Sequence, residues 1–217
     1  MKRKWIKNHK KINITEEEIV FLIDKFSKID ISISLDFDSV LWDWHKNINI
    51  FLIENNIKEL NSLDITHWDY IIENHPNAKI TWESWEHYIK SGPIQSSIEF
   101  VKILKRIFNG KIQIVTASHN NLIENKDKMI QEIYNIENII HTSTKSIYTK
   151  NSILIDDAIH NINSHTKTNI KDYGILFDLN GNYGWNKENI ENNNFKISRI
   201  TNYEDIFKYL KKFRKLN

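Results

Sequence analysis

Cysteine is absent from all 217 residues, which excludes disulfide bridges and thiolate metal sites and leaves the cytoplasm as the default compartment. No apolar run approaches the roughly 20 residues of a membrane-spanning helix, so no spanning role and no membrane partner is expected. Neither sign of charge dominates. Thirty Lys and Arg face 28 Asp and Glu, a formal +2, too little to imply a stable nucleic-acid partner. The opening MKRKWIKNHKK is basic, but no apolar stretch of about 7–15 residues follows, so it reads as a solvated end and not a signal peptide. The histidines, His45, His119 and His160 among them, fall in no metal-ligand spacing, and no internal repeat is visible. What is present is globular: 40% hydrophobic against 27% charged residues, at a length that suits one domain or one domain with an insertion.

Thr15-Glu16-Glu17-Glu18 reads as an N-cap with an acidic first turn, opening a helix to about Lys28. A strand from Ile31 to Phe37 follows. Residues 45–92 hold no convincing strand; segments 46–55, 66–74 and 81–90 have helical spacing, and Gly92-Pro93 closes the stretch. The spacing then predicts a helix over 94–108, a strand over 111–116, a helix over 122–134 and an apolar run over 139–141. Strands over 152–155 and 174–177 come next, then an Asn- and Gly-rich loop and an amphipathic helix over 203–213. Strands alternating with helices indicate an α/β fold, a parallel sheet with right-handed crossovers. The expected organisation is a basic tail and helix over 1–30, a core domain over 31–44 and 93–217, and a small helical cap over 45–92 inserted after the first core strand.

In such a sheet ligands bind beyond the carboxyl ends of the strands. Three segments place polar groups there: Asp36 and Asp38 in ISISLDFDSVLWDW, Thr116 with Ser118, and Asp156-Asp157. Four carboxylates in one crevice repel strongly unless a cation sits among them. Oxygen donors alone favour Mg²⁺ over zinc. Lys145 and Lys150, just before the third segment, are the candidates for a compensating lysine, with Lys145 preferred.

The set resembles the haloacid dehalogenase (HAD) superfamily of phosphatases, which implies a three-layer, Rossmann-like core. Its motifs are matched in order by Asp36-Phe37-Asp38, by Ile114-Val115-Thr116, by the lysine, and by Ile153-Leu154-Ile155-Asp156-Asp157. Within the superfamily the nearest likeness is to the 5′(3′)-deoxyribonucleotidases, through Asp36 to Trp44, through Trp82-Glu83-Ser84 and through Ile175-Leu176-Phe177. Two departures stand out: Ser39 where the family has Gly, and Trp42 where it has Ala, which adds bulk expected beside the phosphate site. The resemblance implies Asp36 as nucleophile and Asp38 as general acid and base, its backbone carbonyl also reaching Mg²⁺. It implies Asp36 and Asp157 as side-chain metal ligands, with Asp156 sharing or supporting them. Thr116 would bind a phosphate oxygen, with Ser118 taking over where Ala117 replaces the family's Ser. Lys145 would stabilise the phosphoryl group, and Trp44, Trp68 and Trp82 would receive a nucleobase. Trp85 and Tyr88 read as packing. The implied reaction is Mg²⁺-dependent hydrolysis of nucleoside 5′-monophosphates, deoxyribonucleotides preferred. The alternatives are another small phosphorylated metabolite, a polynucleotide end, or a non-catalytic nucleotide-binding module. Oligomeric state stays open, a homodimer included.

Overall fold

A computed structural model describes residues 11–67, 69–168, 171–186 and 196–214. The first ten residues of the basic stretch and Trp68 lie outside them. The Thr15 hydroxyl accepts from the Glu18 amide while the Glu18 carboxylate accepts from the Thr15 amide, a reciprocal cap that opens helix α1 (Glu16–Ser27). Its Ile19, Leu22 and Phe26 are buried in the same cluster as the sheet.

The sheet has six parallel strands, β1 (Ser32–Leu35), β2 (Ile112–Thr116), β3 (Ile139–His141), β4 (Ser152–Asp156), β5 (Tyr173–Phe177) and β6 (Ile197–Ile200). Their spatial order is β3-β2-β1-β4-β5-β6. The chain winds outward on one side of β1 and then on the other, so its direction of travel reverses between β1 and β4, the point where open α/β sheets hold ligands. Register brings the three motif strands level there, Leu35 pairing with Ile114 on one side and Ile155 on the other. Strand β6 corrects the sequence reading, which places only loop between β5 and the last helix. Ile-Ser-Arg-Ile is short and follows an Asn-rich stretch, and it becomes a strand only by adding to the β5 edge.

Alternation along the strands builds two faces. Ile153, Ile155, Ile175 and Phe177 enter the main core, whereas Leu154 and Leu176 meet Ile159 and Ile162 of helix α8 (Ile159–Thr168). A Cβ at Gly174 would collide with the Ile162 side chain, so glycine sets how closely α8 lies on β5. The main-core face is covered in part by α6 (Ser97–Ile107), α7 (Ile123–Tyr134) and α9 (Tyr203–Lys212).

Between β1 and β2 the chain forms α2 (Trp44–Glu54), α3 (Tyr70–Asn74), α4 (Ile80–Glu83) and α5 (Trp85–Tyr88). Two expected helices are cut short. The one expected over 66–74 begins only at Tyr70, and an extended Ser84 (φ −116°, ψ 127°) parts the one expected over 81–90 into α4 and α5. This cap has its own apolar cluster of Ile48, Phe51, Leu52, Ile65, Ile71 and Ala78, completed by Tyr183 and Trp185 from the loop after β5. A Cβ at Gly184 would strike the carbonyl oxygens of Leu63 and Ile65, so that loop approaches the cap backbone at contact distance. Among the described residues no helix is long and apolar enough to cross a membrane.

Candidate active site

Asp36 is the first residue past β1, its amide donating to the Ile155 carbonyl at 2.8 Å, so the side chain stands at the sheet's edge beside the end of β4. Its Oδ1 accepts from the Phe37 amide and its Oδ2 faces Lys145 Nζ, each at 2.7 Å. The same lysine nitrogen lies 2.7 Å from Asp156 Oδ2. Burial raises the Asp36 carboxyl to about 6; Lys145 pulls it down, while Asp156 and Asp38 add to the rise. Burial works against the charged form of Lys145, but the Asp156 and Asp36 carboxylates outweigh it and hold the ammonium above its ordinary range. Lys150 is exposed.

Asp38 is bound on both oxygens. Oδ1 accepts from the Tyr88 hydroxyl at 2.5 Å and Oδ2 from Lys126 Nζ at 2.8 Å. Lys126 also reaches the hydroxyl oxygens of Thr116 (3.1 Å) and Ser118 (3.0 Å), the residues at and just past the end of β2. Only 1% exposed, it stands 5.2 Å and 5.4 Å from the ring centres of Phe37 and Tyr88, a desolvated cation against two aromatic faces. Sequence reasoning missed it, yet a signal existed. Leu122, Lys126, Met129 and Ile130 share one helical face, and a lysine on an apolar stripe requires a buried anion. Tyr88, read from sequence as packing, does pack, but it also reaches into the site.

Three carboxylates cluster: oxygens of Asp36, Asp156 and Asp157 lie within 4.8 Å of one another. Asp156 is already saturated, Oδ1 by the Ala158 amide and Asn161, Oδ2 by Lys145 and Asn161. Asp157 is 1% exposed, and its Oδ2 is buried with no hydrogen-bond partner. Burial, then Asp36 and Asp156, push its carboxyl well above the usual range. An orphaned carboxylate oxygen among hard oxygen donors fits a small divalent cation. The Asp38 side chain, held by Tyr88 and Lys126, stands apart from this trio.

These groups open into a cavity of about 480 Å³. Asp36, Asp38, Thr116, Ser118, Lys145 and Asp157 line its polar end, and Trp44, Trp82 and Ile72 supply apolar wall. The Trp44 and Trp82 rings are 6.1 Å apart, and Trp185 meets Trp44 edge-on at 6.1 Å. His119 and His160 line the cavity as exposed residues, and His45 is hydrogen-bonded to the Leu60 carbonyl. Trp42, expected beside a phosphate site, does not line the cavity. It is fully buried, stacked between Phe37 (5.9 Å) and Tyr88 (6.0 Å), because the strand-like bridges it makes to Asp38 and Pro93 turn its ring into the core.

The segment joining Asp38 to the cap is fixed by tyrosines from three separate elements. Tyr183 donates to the Ser39 carbonyl (2.7 Å), Tyr203 to Val40 (2.5 Å) and Tyr134 to Leu41 (2.9 Å). Ser39 itself adopts φ +60°, a left-handed backbone that glycine enters without a Cβ penalty. Ser39, with its Cβ, carries that strain.

No family model and no curated protein matches the sequence. Solved structures do match in shape. A HAD family hydrolase from Deinococcus radiodurans, with bound phosphate and sodium, superposes with a TM-score of 0.53 at 12% identity over 82% of this chain and 93% of its own. A haloacid dehalogenase-like hydrolase from Xanthomonas campestris gives 0.52 at 10% identity, covering 84% and 95%. A HAD hydrolase from Bacillus subtilis, bound to magnesium, gives 0.51 at 10% identity, covering 84% and 99%. Likeness of this kind speaks to architecture: the chain has the haloacid dehalogenase-like fold, with a six-stranded parallel sheet and a helical cap inserted after β1.

Proposed function

We propose that the protein is a Mg²⁺-dependent phosphatase that hydrolyses nucleoside 5′-monophosphates, deoxyribonucleotides preferred, through an aspartyl-phosphate on Asp36. The observation that carries this reading is one cavity whose carboxylates outnumber its lysines at one end and whose other wall is tryptophan. Asp36, Asp38, Asp156 and Asp157 bring four potential negative charges against the two of Lys126 and Lys145, a deficit that a divalent cation meets.

Asp36 and Asp157 would hold the metal by their side chains, with Asp156 fixing Lys145 behind them. The Asp38 contribution to the metal would be its backbone carbonyl, since its side chain is engaged elsewhere. When bound, Mg²⁺ neutralises phosphate charge and aligns the phosphate oxygens for in-line displacement. Asp36 forms a bond to phosphorus as the ester P–O bond breaks, and the leaving oxygen takes the Asp38 proton with the bonding electron pair. Water then attacks the acylphosphate, returns a proton to Asp38 and frees Asp36. Thr116, Ser118, Lys126 and Lys145 surround the transferring phosphoryl oxygens with donors and positive charge. Trp44 and Trp82 offer faces to a base, a contact worth roughly 1–3 kcal/mol that tolerates different bases.

The test is phosphate release from a panel of nucleoside monophosphates and sugar phosphates, with and without Mg²⁺, by the parent chain and Asp36→Asn. Metal-dependent release that favours nucleotides and disappears in the variant is expected. Full activity in Asp36→Asn overturns the mechanism. Release from sugar phosphates alone overturns the substrate, and binding without turnover overturns the enzyme.

A further inference from the structure

Tyr88 lines the cavity, comes from the cap, and its hydroxyl donates directly to the proposed acid, Asp38. Its ring is held between Trp42 (6.0 Å, 11° from parallel) and Trp85 (6.0 Å, 28°), and its own carbonyl accepts from the Trp42 indole nitrogen at 3.3 Å. The ring is therefore locked, and its hydroxyl points at Asp38 Oδ1 at 2.5 Å. A phenol ordinarily ionises only at about pH 10, so at neutral pH the Tyr88 hydroxyl is the donor of this contact.

A carboxyl group has two oxygens and, as an acid, one proton. If that proton sat on Oδ1 it would confront the Tyr88 proton, and two donors would share one contact. On Oδ2 it confronts Lys126, but Lys126 has the hydroxyls of Thr116 and Ser118 and the Ala117 carbonyl within reach as alternative acceptors. The wedged phenol has no such freedom. We propose that Tyr88 is a positioning residue for the phosphatase reaction: it commits Asp38 Oδ1 to accepting, so that Oδ2 carries the proton delivered to the leaving oxygen. This rests on the phosphatase reading above. As the ester bond breaks, its electron pair takes the Oδ2 proton, and the resulting carboxylate is stabilised by Tyr88 on one oxygen and Lys126 on the other. The attacking water later gives Oδ2 a proton back, and the cycle closes with no other reactant.

In formation of the acylphosphate, a residue that acts through the acid matters only when the leaving group needs a proton, and kcat/KM reports that step apart from the later hydrolysis. The experiment compares Tyr88→Phe with the parent on a nucleoside 5′-monophosphate, whose alkoxide leaves poorly, and on p-nitrophenyl phosphate, whose phenolate leaves unaided. Phenylalanine keeps the stacked ring, and melting temperature checks the fold. Tyr134→Phe is the control, because it removes a buried hydroxyl that holds the Leu41 carbonyl without touching Asp38. The expected result is a loss of about 10–100-fold in kcat/KM on the nucleotide and little loss in kcat/KM on p-nitrophenyl phosphate, with Tyr134→Phe affecting both substrates alike. Equal losses on both substrates in Tyr88→Phe, or none on either, overturn the proposal while leaving the phosphatase reading in place. A parent chain that hydrolyses neither substrate overturns both.

Discussion

With the metal chelated, replacing Asp36 by Asn should stabilise the fold, and the gain should fade with acid. The folded carboxyl sits at about 6 against an ordinary 3.8, with burial as the main cause. For an acid raised in this way the ionised form is the penalised one. The penalty is complete above the folded value and gone below the unfolded one. Linkage turns the difference into about 3 kcal/mol at pH 8, falling to about 1 kcal/mol near pH 4.5. Asn copies the shape of the neutral acid and escapes the penalty at every pH. For a chain of this size about 3 kcal/mol is about 6–12 °C in melting temperature. Melting curves in EDTA at pH 8, 6 and 4.5 measure the gap between variant and parent directly. A second series with saturating Mg²⁺ should close the gap at pH 8, because the cation compensates the parent's charge and the variant binds it less well. A variant less stable than the parent at pH 8 in EDTA, or a gap that widens toward acid, would refute the reasoning.

Ser39→Gly should raise the melting temperature by about 1–3 °C, since it relieves a left-handed backbone worth on the order of 1 kcal/mol, less the entropy glycine adds to the unfolded chain. Lys126→Met should preserve the circular dichroism spectrum while lowering kcat/KM at least about 100-fold, as the Asp38, Thr116 and Ser118 cluster loses its cation. Trp44→Ala should raise KM for nucleoside monophosphates about tenfold and leave inhibition by inorganic phosphate little changed, the pattern of a lost stacking face.

The framework was legible because most elements announce themselves locally. The acidic run after Thr15, the apolar bursts before Asp36, Thr116 and Asp156, and the helical stripe over 203–213 each depend on neighbours a few residues away. Elements that depend on distant partners were not. Strand β6 exists only against β5, the helix expected over 66–74 begins only at Tyr70, and the one expected over 81–90 is interrupted at Ser84. The site divides the same way. Residues at strand ends could be placed together from fold logic alone. Lys126 lies within a helix rich in charge, where one more lysine passes for solvated surface unless its place on the stripe of Leu122, Met129 and Ile130 is read. Tyr88 and Trp42 were misjudged in opposite directions, the first credited only with packing and the second with a place beside the phosphate site. The direction of Trp42 is set by backbone bridges to Asp38 and Pro93, and that of Tyr88 by its contacts with Trp42 and Asp38, neither of which periodicity reveals.

The loop after β5 has a meaning for anyone wishing to exchange one specificity for another. Asp178, itself paired with Arg199, holds the Tyr183 amide, and Tyr183 and Trp185 then sit among cap side chains while Gly184 clears Leu63 and Ile65. The cap is thus completed by a distant stretch of chain and is not a detachable cassette. Swapping residues 44–91 for those of another chain of this fold, while keeping the native 178–186, would mate two surfaces not fitted to each other; a workable chimera has to move both.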